Sequence, residues 1–178
     1  MEFKEVQEST TRIFKGKLLD VRLDTVKLPD GRTATREYIV HQGAVVMIPV
    51  LPDGKIVLVK QYRYPVGQVM IEFPAGKLDP GEDYLTTAER ELMEEIGYRP
   101  QRMTLLGELN PCVGYSNERL GIVLAEDLVA DSAPGDDDEW IEILPMTIEQ
   151  ALALVWDGSI TDSKTVAGLL WAQKVLQS

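Results

Sequence analysis

Gly76-Lys-Leu-Asp-Pro-Gly-Glu82, followed after seven residues by Arg90-Glu91-Leu92-Met93-Glu94-Glu95-Ile96-Gly97, constrains this chain more than any other stretch. Side chains three and four residues apart on a helix are neighbours, with Cβ atoms about 5–6 Å apart. Glu91, Glu94 and Glu95 therefore point into one patch of space, where they repel one another unless a cation joins them. Hard carboxylate oxygens select Mg²⁺ or Mn²⁺, and Mg²⁺ usually binds through one or two carboxylates plus substrate phosphates. The spacing thus implies a loop and helix that gather a divalent metal for a phosphate-bearing substrate. A solvated amphipathic helix with an Arg90–Glu94 pair is the plainer alternative. It accounts for the acidic face but not for the two framing glycines or the distant Glu82.

The local chemistry fits a helix at this place. Pro80-Gly81 is a turn dipeptide, Asp83 is a capping residue, and a helix is expected over Tyr84 to Ile96. Leu85, Ala88, Leu92 and Ile96 recur at three- and four-residue steps and predict the buried stripe. The glutamate face borders this stripe, which places the metal site at the edge of the core. Gly97 follows the last periodic residue and stops the helix.

Position by position, these residues resemble the box of the Nudix hydrolases: Gly, five residues, Glu, seven residues, then Arg-Glu-apolar-x-Glu-Glu-x-Gly-apolar, with Tyr98 where a smaller aliphatic is usual. The resemblance implies an α/β (α+β) Nudix sandwich with a mixed β-sheet. It makes Glu91 and Glu95 the principal metal ligands, Glu94 a further ligand or supporting carboxylate, Arg90 the holder of a glutamate, and Glu82 an outer contributor. The implied cofactor is Mg²⁺, for which Mn²⁺ can substitute.

Upstream, Gln61-Tyr-Arg63 and Glu72-Phe-Pro74-Ala75-Gly76 resemble the ADP-ribose pyrophosphatase branch of that family. By that resemblance Arg63 contacts the substrate's phosphates or terminal ribose, Glu72 lies near the adenosine end or the metals, and the Ala75 carbonyl is a metal ligand. The bland alternative pairs Arg63 with a surface carboxylate and lets Pro74-Ala75 shape a strand end. Downstream, Pro111-Cys-Val-Gly114-Tyr-Ser116-Asn-Glu118 resembles the loop that closes the branch's substrate cleft. Gly158-Ser-Ile160-Thr-Asp162-Ser-Lys164-Thr165 resembles its closing segment, with helix capping and bracing of the site as the expected role. Glu139 aligns with the glutamate proposed to activate water, with Glu142 in reserve and Glu82 and Glu118 after it. Cys112 lacks a partner base, since His41 is distant in sequence and better suited to a structural role, so thiol and serine–histidine chemistry are set aside.

The first 40 residues read as strands, Thr11 to Val26 and Thr33 to Val40, around a turn at Leu28–Gly31. They are too few to bury a core of their own. The expected division is a β-rich dimerisation appendage over 1–42 and a hydrolase domain over 43–178. In the resembling branch the appendage forms a homodimer and lends residues to the neighbour's site, which puts Arg36 and Glu37 near the partner's substrate. Buried strands are expected at Gly43 to Leu51 and Lys55 to Gln61, further strands at Met103 to Leu109, Arg119 to Glu126 and Trp140 to Pro145, and helices at Ile148 to Trp156 and Ser163 to Leu176.

A net charge of −11 over 178 residues argues against nucleic acid or an anionic membrane surface as partner. One cysteine excludes an intrachain disulfide, and no apolar run reaches the length of a membrane span, so a cytoplasmic protein is expected. The implied activity is Mg²⁺-dependent hydrolysis of a nucleoside diphosphosugar, first of all ADP-ribose to AMP and ribose 5-phosphate. GDP-mannose or another nucleotide sugar is the alternative within the family, and a nucleotide-sugar-binding regulatory module the alternative outside enzymes.

Overall fold

The computed structural model describes residues 2–135 and 140–176. The chain forms two compact units, Met1–Gln42 with Asn110–Arg119, and Gly43–Leu109 with Leu120–Ser178. The first unit takes in the loop after Leu109.

That first unit is a three-stranded antiparallel sheet of β1 (Val6–Lys15), β2 (Asp20–Lys27) and β3 (Thr33–Ile39). The expected strand over Thr11 to Val26 is in fact two. The chain reverses at 16–19, where the Gly16 amide donates to the Leu19 carbonyl at 2.8 Å and a Cβ on Gly16 would lie 2.8 Å from the Phe14 ring. Every residue of β1 is exposed, and Val26 is the unit's buried apolar side chain among the described residues. The loop 110–119 attaches through the Ile39 amide to the Tyr115 carbonyl at 2.8 Å.

The second unit contains β4 (Ala44–Pro49), β5 (Ile56–Arg63), β6 (Gln68–Glu72), β7 (Ala75–Lys77), α1 (Tyr84–Glu95), β8 (Tyr98–Leu109), β9 (Leu120–Ala130), β10 (Ile141–Met146), α2 (Ile148–Trp156) and α3 (Ser163–Leu176). One sheet has the order β7-β4-β9-β8, with β4 and β9 parallel and the other pairs antiparallel; the second is antiparallel, β10-β5-β6. Successive strand residues face opposite ways, and β4 shows the consequence. Val46 and Ile48 enter a core with Ala151, Leu169 and Ala172 of α2 and α3, while Val45 and Met47 enter a core with Ala88 and Leu92 of α1 and Ile96 beyond it. Helices therefore cover both sides, giving the expected α/β sandwich with a mixed sheet.

Both α2 and α3 have their expected limits, and α2 starts at a capping box of Thr147 and Gln150. Two short strands, β6 and β7, were not expected, and β8 begins five residues earlier than Met103. Gly97, at φ +73°, turns the chain straight from α1 into β8, and Tyr98 pairs at once with Ala130. The buried stripe of α1 also differs: Leu85 is 37% exposed. Tyr84 takes its place, four residues before Ala88, because Gly121 of β9 leaves room for the ring; a Cβ there would lie 2.7 Å from it.

Candidate active site

Asp83 caps α1 by accepting from the Thr86 amide at 2.8 Å, which fixes the first turn and hence the direction of the glutamates. Just before the cap, Glu82 Oε2 accepts from Thr87 Oγ1 at 2.8 Å and from Arg90 Nη2 at 3.0 Å, and Oε1 from Arg90 Nε at 3.2 Å. The Arg90 guanidinium also donates to Glu91 Oε1 at 2.9 Å, Glu94 Oε2 at 3.0 Å and the Lys77 carbonyl at 3.3 Å. One cation thus ties the loop before the helix to two residues of its acidic face. Hydrogen bonds from Arg90, then Thr87, pull the Glu82 carboxyl down to about 2, and Glu82 in turn raises Arg90. Four glutamates against this arginine leave −4 + 1 = −3, a field suited to a divalent cation.

Strand β7 lies against the same face. It pairs with β4 through Ala75 to Val46 and Gly76 to Val45, and a Cβ added to Gly76 would lie 2.0 Å from Glu91 Cδ. Only glycine lets that carboxylate rest on the β7 backbone, next to Ala75. Among the described residues no three His, Cys, Asp or Glu side chains are gathered as a finished metal cage. The donor set nevertheless fits a hard divalent ion: it is all oxygen, carries excess negative charge, and includes a carboxylate seated in a glycine cradle. Gly76→Ala is expected to displace Glu91 and raise the Mg²⁺ concentration for half-maximal turnover by roughly 10–100-fold, the scale for losing a ligand's support. Metal titration of the activity checks this, and an unchanged midpoint would remove the cradle from the argument.

Arg63 ends β5, and a tight turn over Tyr64–Val66, closed by Gly67 at φ +68°, returns the chain as β6. Arg63 grips Glu72 with both Nε and Nη2 at 2.9 Å. Its partner is thus a carboxylate only 2% exposed, not the surface carboxylate of the bland alternative. Lys164 Nζ also donates to Glu72 Oε2. Burial opposes ionisation of Glu72, but Arg63 and Lys164 outweigh it and hold the carboxyl below the usual range. Arg63 is raised by its hydrogen bond to Glu72 first, against the opposing effect of burial, with smaller contributions from the charges of Glu95 and Asp162.

The remaining candidates divide between the units. Glu142 on β10 pairs with Lys60 of β5 at 2.9 Å, and Glu139 lies outside the described residues. In the first unit, Arg36 of β3 pairs with Glu5, Glu37 stands opposite Leu23, and Glu118 lies 3.7 Å from His41 Nδ1. Cys112 Sγ accepts from Tyr115 Oη at 3.3 Å. Lys164 was absent from the expected site residues. The polar run from Gly158 to Thr165 was its one signal, and the partner that gives it meaning is 92 residues away.

Comparison with known proteins extends the likeness to almost the full chain. The NUDIX domain model matches residues 40–167, and the model of the nucleoside diphosphate sugar hydrolase N-terminal domain matches residues 6–39. The chain is 37% identical over 175 residues to the ADP-ribose pyrophosphatase of Bacillus subtilis (strain 168), covering 96% of this chain and 95% of the relative. It is 38% identical over 173 residues to the methanol dehydrogenase activator of Bacillus methanolicus, covering 96% and 94%. A crystal structure of an ADP compounds hydrolase superposes with a TM-score of 0.89 at 24% identity, covering 98% of this chain and 95% of that one, a likeness of fold. With the glutamate-bearing loop and helix in place and the two models matching adjoining stretches of the sequence, the chain belongs to the Nudix hydrolase family.

Proposed function

We propose that this protein hydrolyses the pyrophosphate bond of a nucleoside diphosphosugar, with ADP-ribose, cleaved to AMP and ribose 5-phosphate, as its substrate. The observation that carries the reading is the acidic face of α1, with Glu91 seated on Gly76, together with an Arg63 clamped by buried Glu72. Nudix hydrolases work with divalent metal, and Mg²⁺ fits this donor set, with Mn²⁺ able to replace it. Glu91, Glu95 and the Ala75 carbonyl would hold the ion, with Glu94 supporting. When bound, it supplies positive charge at phosphoryl oxygens and lowers the pKa of water.

The chain's own groups do the rest. Arg63, fixed at one edge by Glu72, presents its remaining N–H donors to a phosphate or ribose oxygen. Arg90 bridges Glu91 and Glu94 through one nitrogen, Nη1, and so aims both carboxylates. Glu139 takes the proton of the attacking water. Four intact glutamates favour catalysis over a binding module that merely kept the fold. Mg²⁺-dependent release assays over ADP-ribose, GDP-mannose and dinucleoside polyphosphates test the substrate. The highest kcat/KM is expected for ADP-ribose, and a far higher value for another compound would replace it as substrate while leaving the hydrolase.

The first unit is proposed to form a homodimer, with Arg36 and Glu37 serving the partner's site and Glu118 the protein's own substrate. Its support is a sheet with a fully exposed strand and the exposed apolar residues Ile13, Phe14 and Leu18. No helix among the described residues is long and apolar enough to cross a membrane, and the cytoplasm is the proposed compartment. Light scattering at micromolar concentration is expected to give twice the 19.9 kDa chain mass; a fully active monomer would reject the assembly.

A further inference from the structure

We propose that Lys164 is a positioning residue for the substrate-facing arginine, acting through Glu72, and that the start of α3 serves as the latch that holds it. The inference rests on the proposed role of Arg63 in binding the diphosphosugar.

Glu72 is buried and receives three charged donors: Arg63 Nε and Nη2 on opposite oxygens, and Lys164 Nζ on Oε2. Lys164 also lies 3.0 Å from Asp162 Oδ2. Asp162 is committed elsewhere, because that oxygen accepts from the Thr165 amide at 2.9 Å and from Thr165 Oγ1 at 2.6 Å, at the positive end of α3. Thr165 Oγ1 in turn accepts from the Phe73 amide at 2.8 Å, which fastens the residue after Glu72 to the same helix start. Thr165 is wholly buried, and Gly168, one turn on, leaves room for the Phe73 ring, where a Cβ would lie 2.9 Å away. The closing segment therefore grips the end of β6 and the residue after it, through the side chain of Glu72 and the backbone of Phe73.

Charge makes this more than a brace. Arg63 with Glu72 alone sums to +1 − 1 = 0, so the clamp that orients the guanidinium also cancels its attraction for phosphate. Lys164 also pairs with Asp162, so the four charges sum to +1 − 1 + 1 − 1 = 0, and removing Lys164 alone leaves the cluster at −1. Lys164 shares the buried carboxylate, and Arg63 keeps its pull on an anion. Without Lys164, Glu72 turns wholly to Arg63, and a cleft already bearing the −3 of the metal face loses cationic character.

The test is a double-mutant cycle on Arg63→Gln and Lys164→Met, assayed with ADP-ribose at saturating Mg²⁺. Lys164→Met is expected to raise KM by about tenfold with kcat within about threefold, Lys164→Arg to restore most of the loss, and Lys164→Met to add less than about twofold once Arg63 is Gln, since coupled residues are not additive. A merely structural latch would lower the melting temperature and the fraction of active enzyme and leave KM alone; that outcome overturns the inference. So does full additivity of the two changes. If Arg63→Gln itself leaves KM unchanged, the role of Arg63 fails and the inference falls with it, recognisable by that separate reading. Should Lys164→Met not fold, Lys164→Gln, which keeps a donor but no charge, decides by the same KM criterion.

Discussion

Replacing Glu95 by Gln is expected to lower kcat by about 10³-fold while leaving the fold and melting temperature close to those of the parent. Gln matches Glu in shape and helix propensity, so α1, with its Asp83 cap and its buried Ala88 and Leu92, has no reason to unwind. What the change removes is one hard anionic donor and one of the four charges of the acidic face. Transition-state charge stabilisation by a bound metal is worth several kcal/mol, and each 1.36 kcal/mol is tenfold in rate, so about three decades follow from losing a principal ligand. The same residue lends negative charge to the field at Arg63, which predicts a small fall in KM alongside the large fall in kcat. Turnover assays against Mg²⁺ concentration, with circular dichroism on the same samples, separate the two. Turnover by Glu95→Gln equal to the parent's would sink the metal assignment.

How much of this was legible beforehand depended on whether the signal was local. Thr147 and Gln150 form a capping box within four residues, and the limits of α2 followed from the chain alone. Ile56-Val-Leu-Val59 could only be a buried strand, and it is. The box spacing fixed α1 to within a residue because Asp83, the periodic apolar residues and Gly97 agree on one helix. Where tertiary partners decide, the sequence was silent. Tyr84 instead of Leu85 faces the core because of a glycine 37 residues away on β9. Strand β7 is three residues long and contains a glycine, so no periodicity announces it; its reality rests on pairing with β4. Arg90 was expected to meet one glutamate and meets three, which depends on the Pro80-Gly81 turn bringing Glu82 back over the helix. The Arg63–Glu72 clamp follows from the register of the β5–β6 hairpin, with Arg63 opposite Gln68 and Glu72 opposite Val59, a register set by Gly67 in the left-handed region.

Glu139→Gln is expected to lower kcat by about 10²–10⁴, the usual yield of a general base, with KM and metal affinity nearly unchanged. Glu139 lies outside the described residues, yet the chain leading to it is anchored: the Ala133 amide donates to the Met93 carbonyl at 3.0 Å, and Gly135 leaves only 3.3 Å between a notional Cβ and the Glu94 carbonyl. The last described residue before it, Gly135, thus lies at the end of α1 that carries Glu94 and Glu95. A general base must not be consumed as a metal ligand, which favours a carboxylate outside the acidic face of α1. Its competitors are compromised. Glu142 is committed to Lys60 across the β10–β5 ladder, so Glu142→Gln is expected to cost less than about threefold. Glu82, held near 2 by Arg90 and Thr87, is too weak a base to accept a proton from water efficiently. Single-turnover rates for the two glutamine variants decide the matter. A loss under tenfold in Glu139→Gln would move the base to Glu118, whose contact with His41 would then be the next to break.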